Sequence, residues 1–207
     1  MEFWNEAVTV KSWDLLLKLR QLPIRFVLIG GWAAYLWARL HKSKDIDIVV
    51  SGFDDLEYLK KNYDLRKNEH LKKYEIIVDE IDVDIYVPHF SRLSLPAEEI
   101  IAQAVKVENI EAVRPEALLV LKQGAELDRR DSVKGKKDRI DIMALIIKVD
   151  MDWGLYFRLL EKHNLSNYFP RLKEIIAEFK DIKYLDLNPR EFKLKKAQVL
   201  DKLRKAK

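Results

Sequence analysis

The sequence predicts an α/β (α+β) chain: a mixed, twisted sheet flanked by helices, with a C-terminal helical region. Three observations carry this. Residues 26–50 read as strand, Gly-Gly turn, helix, strand. Two short stretches, residues 44–50 and 81–87, alternate acidic and apolar side chains with the period of a strand. From Pro115 onward the apolar residues recur at helical spacing. The expected division is a core over residues 1–114 and a helical region over residues 115–207, with a basic tail over residues 180–207.

Residues 2–22 read as a first helix: Trp13, Leu16, Leu17, Leu19 and Leu22 give a broad apolar face, and Pro23 closes it. Its tryptophans are expected in the core. Phe26-Val27-Leu28-Ile29 is an apolar run of strand length, ended by Gly30-Gly31. Trp32 to Leu40 has helical composition. His41-Lys42-Ser43-Lys44 then leads into Asp45-Ile46-Asp47-Ile48-Val49-Val50. Alternation places Asp45, Asp47 and Val49 on one face of that strand and Ile46, Ile48 and Val50 on the other. Two carboxylates on one face of an otherwise apolar strand repel each other and are poorly solvated. A divalent cation is the simplest partner that makes them favourable; the alternative is an edge strand with a wet face.

Residues 53–63 read as a surface helix with Asp54 and Asp55 in its first turn, where negative charge is favoured. Residues 64–70 are polar and irregular. Residues 74–78 form a strand that meets residues 81–87 across Asp79-Glu80, a hairpin without the glycine that the tightest turn prefers. In the second strand Asp82, Asp84 and Tyr86 share a face. Side by side, the two acidic strands would bring three or four carboxylates together, enough for one or two Mg²⁺ ions, which take oxygen ligands and share them with phosphates.

Residues 96–104 read as a helix and residues 105–113 as one or two short strands. Pro115 opens a further helix from a favourable early position. Residues 128–137 read as a mobile charged loop, and an apolar helix follows, with Asp138 as its cap. Residues 152–162, 167–180 and 189–205 read as three more helices. Asn188 and Glu191 are spaced as a capping box at the start of the last.

Composition narrows the functional classes. With no cysteine among 207 residues, disulfides and thiolate metal sites are excluded. The Cys-free, Lys/Glu-rich composition fits a reducing cytoplasm. No apolar run approaches membrane-span length, and residues 1–10 lack a secretory pattern. The net charge of +4 is uneven: residues 180–207 carry ten Lys/Arg against four Asp/Glu, a net of +6 that leaves −2 for the rest. A basic tail on a near-neutral body points to a polyanion such as RNA, tRNA included; the alternative is a solvated helix end.

The ordered set Gly30-Gly31, helix, Asp45-x-Asp47, later Asp84 resembles the nucleotidyltransferase fold of the polymerase-β superfamily, and within it the small prokaryotic AbiEii/MenT-like branch that includes toxins. The motifs span roughly residues 26–145. The resemblance implies that Asp45, Asp47 and Asp84 hold two Mg²⁺ (or Mn²⁺) ions around a nucleoside triphosphate such as ATP. A nucleoside monophosphate then passes to an acceptor hydroxyl with release of pyrophosphate. It favours Asp84 over Asp82, since Asp84-Ile85-Tyr86-Val87-Pro88 matches the family's strand ending. It implies that Gly30 and Gly31 let backbone approach the phosphates and that Ser43 takes the family's hydroxyl position. It also implies that Lys122, in the string Pro115-Glu116-x-Leu118-x-x-x-Lys122, faces the triphosphate, with Lys137 opening a Lys-Asp-x-x-Asp string. His41 departs from the pattern, standing where Arg is usual; as a residue it reads as a surface histidine. Two other readings stay open: a non-catalytic binding module of the same fold, and a nucleotide-sugar enzyme using Asp45-x-Asp47 alone.

Overall fold

A computed structural model describes residues 3–206; the expected helix start at Glu2 and the last tail residue, Lys207, lie outside the described residues. The chain divides into two compact units, one of residues 3–36 and 41–114, the other of residues 37–40 and 115–206.

The first unit is built on a seven-stranded mixed sheet. In chain order its strands are β1 (Phe26–Ile29), β2 (Ile46–Val50), β3 (Arg66–Asn68), β4 (Lys73–Val78), β5 (Ile81–Tyr86), β6 (Ala104–Val107) and β7 (Ile110–Val113). They lie in the order β3-β4-β5-β2-β1-β7-β6. β1 is antiparallel to β2 and parallel to β7, while β2 is parallel to β5. The remaining pairs are antiparallel. The helices are α1 (Glu6–Leu19), α2 (Gly30–Ala38), α3 (Phe53–Asn62) and α4 (Ala97–Ala102).

Alternation is realised as burial. Ile46, Ile48 and Val50 on β2, and Val83 and Ile85 on β5, are fully buried, whereas Asp82 is exposed and Asp47 and Asp84 are half-buried. α1 packs on β5 and α4 on β2. Asn5 caps α1 by accepting from the Ala7 amide at 2.9 Å. The tryptophans of the expected first helix, Trp4 and Trp13, are half-buried rather than in the core; the buried indole beside that helix is Trp32, on α2, which donates to Ser12 Oγ at 2.8 Å. The Trp13 ring lies 4.9 Å from that of Trp32.

Several expected boundaries shift. There is no separate Gly-Gly turn: β1 passes directly into α2, which starts at Gly30. Residues 66–68, expected to be irregular, form the edge strand β3. The helix expected over residues 96–104 stops at Ala102 because Ala104 begins β6.

The second unit is helical: α5 (Pro115–Arg129), α6 (Val133–Lys148), α7 (Trp153–Lys162), α8 (Tyr168–Glu178) and α9 (Pro189–Lys205). α5 packs against α6, α7 and α8, and α6 against α9. The charged loop expected over residues 128–137 shrinks to a short link, because residues 133–137 already belong to α6. Ser132 is the cap of that helix, accepting from the Gly135 amide at 3.0 Å, so Asp138 is not. Buried polar groups tie the helices together. Gln123 donates to the Tyr168 carbonyl at 2.7 Å and accepts from the Tyr156 hydroxyl at 2.8 Å. Burial, foremost, raises that phenol above its ordinary value. Glu126, fully buried, takes Arg139 at 2.9 Å and Arg171 at 2.6 and 3.0 Å. The capping box of α9 forms in both directions between Asn188 and Glu191.

Candidate active site

The parallel pairing of β2 with β5 sets Asp47 opposite Asp84. The antiparallel pairing of β1 with β2 sets Asp47 opposite Ile29, the last strand residue before Gly30. Asp47 is therefore presented to the start of α2. Gly30 has φ +66°, and a Cβ there would lie 2.6 Å from Asp47 Cγ and overlap its Oδ2. Only glycine satisfies both the backbone angle and that approach. At Gly31 a Cβ would lie 2.5 Å from Ser43 Oγ. The two glycines thus carry different neighbours, a carboxylate and a hydroxyl, against the N-terminus of a helix, where the amide ends favour negative charge.

Ser43 is buried, and so is His41, at 4% exposure. The surface position read for His41 is therefore corrected: the 41–44 linker packs inward ahead of β2. Asp45 precedes β2 by one residue, and Lys44 Nζ stands 3.6 Å from its carboxylate and 5.2 Å from the Trp4 ring centroid.

On the other side of Asp84, β4 contributes two residues that the sequence reading missed. Glu75 lies opposite Asp84 in the β4–β5 register. Lys73, two residues earlier on the same face, places Nζ 2.7 Å from Asp84 Oδ2 and 3.0 Å from Glu75 Oε1. Its side chain is 12% exposed. Burial pulls the Lys73 ammonium down, but hydrogen bonding to Asp84 and the charges of Asp84 and Glu75 outweigh it, and the group ends above its ordinary value. Glu75 is held below the usual carboxylate range, chiefly by its hydrogen bond from Lys73.

Asp47, Asp84 and Glu75 therefore form one carboxylate row across three adjacent strands, with an ammonium seated on its outer half. Among the described residues, no three His, Asp or Glu side chains already converge as a metal cage. The donors are nonetheless all hard carboxylate oxygens, the kind Mg²⁺ takes. A cation, Lys73, already sits where the row concentrates negative charge.

Lys122 and Lys137 belong to the helical unit and share one aspartate, Asp141, while Asp138 joins Lys122 to Arg129. Lys122 Nζ lies 3.1 Å from Asp138 Oδ1 and 2.8 Å from Asp141 Oδ2. Lys137 hydrogen-bonds Asp141 Oδ1, and Arg129 Nε donates to Asp138 Oδ2 at 2.8 Å. All but Arg129 are buried. Burial pushes Lys137 below its ordinary value despite Asp141; burial would raise Asp141, but the two lysines hold it below its own.

No family model and no curated protein matches this chain. Solved structures do. A nucleotidyltransferase-like antigenic protein from Paracoccidioides brasiliensis aligns at 17% identity over 81% of this chain and 91% of its own, TM-score 0.43. JHP933 from Helicobacter pylori aligns at 16% identity over 97% and 95%, TM-score 0.45. A candidate nucleotidyltransferase from H. pylori aligns at 14% identity over 99% of both chains, TM-score 0.50. With the seven-stranded mixed sheet and its flanking helices, that last alignment gives this protein the nucleotidyltransferase fold.

Proposed function

We propose that this protein is a divalent-metal-dependent nucleotidyltransferase that moves a nucleoside monophosphate from a nucleoside triphosphate to an acceptor hydroxyl, with pyrophosphate released. The observation that carries the reading is the Asp47 carboxylate set against Gly30 at the start of α2, with Asp84 in register on the next strand. Asp45, Asp47 and Asp84 would hold Mg²⁺ or Mn²⁺, two ions by the resemblance. When bound, the ions supply charge neutralisation at the triphosphate and acidify the acceptor hydroxyl. The missing side chains of Gly30 and Gly31 admit the Asp47 carboxylate and the Ser43 hydroxyl against the start of α2; by the resemblance the same two glycines would bring backbone amides to the triphosphate, whose charge a helix start favours. Ser43 packs on Gly31 at the start of α2, where the resemblance puts the family's hydroxyl. The resemblance gives Lys122 and Lys137 a triphosphate-facing role; within the helical unit both ammonium groups are held by aspartates. The basic C-terminal stretch makes RNA, tRNA included, the favoured acceptor class, in keeping with the AbiEii/MenT-like resemblance. Among the described residues no helix is long and apolar enough to cross a membrane.

The test is transfer of α-labelled nucleotide, with each of the four triphosphates, Mg²⁺ and a cell extract. The size class of the labelled product identifies the acceptor. Outer-shell changes at metal sites already cost 10–100-fold, so Asp47→Asn, which removes a ligand, should lower labelling by more than ~100-fold. It should leave circular dichroism unchanged. Undiminished labelling by the variant would remove the proposal. A second reading, a non-catalytic module of the same fold, is favoured by one observation, the neutralisation of Asp84 by Lys73. Calorimetry with Mg²⁺ and each triphosphate separates the first reading from a pure RNA-binding module, which shows no metal-dependent affinity for triphosphate.

A further inference from the structure

We propose that Lys73 is a built-in counter-cation that occupies Asp84 in the metal-free protein and must be displaced before a divalent ion can use that carboxylate, so that it sets the ion concentration at which the site loads. The inference rests on the metal-centre reading above and concerns how that centre is filled.

Three features lead to it. Strand register puts Asp47, Asp84 and Glu75 side by side, a concentration of like charge that a folded chain does not tolerate uncompensated. Lys73 is the compensation: its ammonium bridges Asp84 and Glu75 at 2.7 and 3.0 Å from a side chain 12% exposed. It also lies on the same strand face as Glu75, two residues away, so one side chain serves both carboxylates. An ion entering beside Asp84 therefore meets a positive charge within hydrogen-bond distance of its ligand. Withdrawal of that ammonium removes its hold on Asp84 and on Glu75, which keeps its hydrogen bond from Asn68 at 3.1 Å, and makes Glu75 a candidate third oxygen donor in the row. Ion loading and Lys73 release are two halves of one exchange, and each opposes the other.

The experiment uses the full chain and Mn²⁺ alone, titrated by calorimetry, with thermal melts at each ion concentration. Lys73→Met, which keeps the bulk and removes the charge, should bind Mn²⁺ about tenfold more tightly than wild type, the order expected for removing one neighbouring unit charge in a partly solvated site. Without ion it should melt below wild type, and its melting temperature should rise further on Mn²⁺ addition. Lys73→Arg keeps the charge and should bind within about twofold of wild type. Equal or weaker binding by Lys73→Met, or Lys73→Arg as tight as Lys73→Met, would overturn the inference. A Lys73→Met chain that is unfolded alone but folds with Mn²⁺ supports it; one unfolded under both conditions counts against it. Asp47→Asn tells the two levels apart. If wild type binds Mn²⁺, loses it in Asp47→Asn, and Lys73→Met changes nothing, only this inference fails. If neither wild type nor Lys73→Met binds Mn²⁺, the metal-centre reading fails and carries this one with it.

Discussion

Gly30 meets two demands that no other residue meets together. Its φ of +66° is one L-residues adopt only at a cost, and the space its missing side chain leaves is filled by the Asp47 carboxylate. Gly30→Ala should cost about 1–2 kcal/mol from the backbone alone. In a chain of this size that lowers the melting temperature by roughly 2–8 °C. The added methyl also displaces Asp47, so nucleotide transfer should fall far more than stability does. Gly52→Ala is the control, since a methyl there meets nothing within 4 Å; transfer should be unchanged. Equal activity losses in the two variants would deny Gly30 its special place. At this scale the glycine pair and the aspartates are legible from sequence because their residue types are unusual for their positions. Lys73 and Glu75 are not: a lysine and a glutamate on a strand look like a wet face until register sets them beside Asp84. His41 misleads in the opposite sense, since polarity suggests surface while the inward-packed linker buries it.

Elements are legible where pattern and propensity agree. The apolar run of β1 and the alternation of β2 and β5 are unambiguous, and each is a strand. β3 escapes because Arg66-Lys67-Asn68 is short and polar, and it exists by pairing with β4 rather than by preference. The start of α6 escapes because lysine-rich residues 133–137 look like a loop, although lysine is a good helix former. The hairpin between β4 and β5 shows the cost of an unsuitable turn residue. Val78 pairs with Ile81, so Asp79 and Glu80 form a two-residue loop, with φ of 49° and 68°. Two positive φ values define the turn that prefers Asn-Gly. The exposed Lys11–Glu80 pair, at 3.8 Å, offsets little of this. Replacing Asp79-Glu80 by Asn-Gly should stabilise the protein by about 1 kcal/mol, read as a higher urea midpoint with an unchanged slope. A lower midpoint would mean that Asp79 or Glu80 makes a contact worth more than its backbone strain.

For the molecule as a whole, the fold class is carried by the order of elements, which sequence conveys well. The network of buried charges is not conveyed. Lys122 and Glu126 sit four residues apart on α5, a spacing that reads as an exposed helix pair. Both are buried instead, and each pairs elsewhere: Lys122 with Asp138 and Asp141 of α6, Glu126 with Arg139 of α6 and Arg171 of α8. Glu126 is the charge that joins three helices. Burial opposes its ionisation, but the hydrogen bonds and charges of Arg171 and Arg139 prevail, and its carboxyl is held below the ordinary 4.5. A group depressed in the folded state contributes stability that is complete above its unfolded value and is lost as pH falls through its folded one. Glu126→Gln leaves two guanidinium groups facing a neutral amide, and breaking a buried pair from one side costs about 3–5 kcal/mol. Denaturant melts at pH 7 should show that deficit in full. Melts at successively lower pH, starting below 4.5, should show it shrinking, because the wild-type carboxylate is then being protonated. A deficit that stays constant down to the acid limit would assign the loss to packing rather than to the charge that Arg139 and Arg171 share.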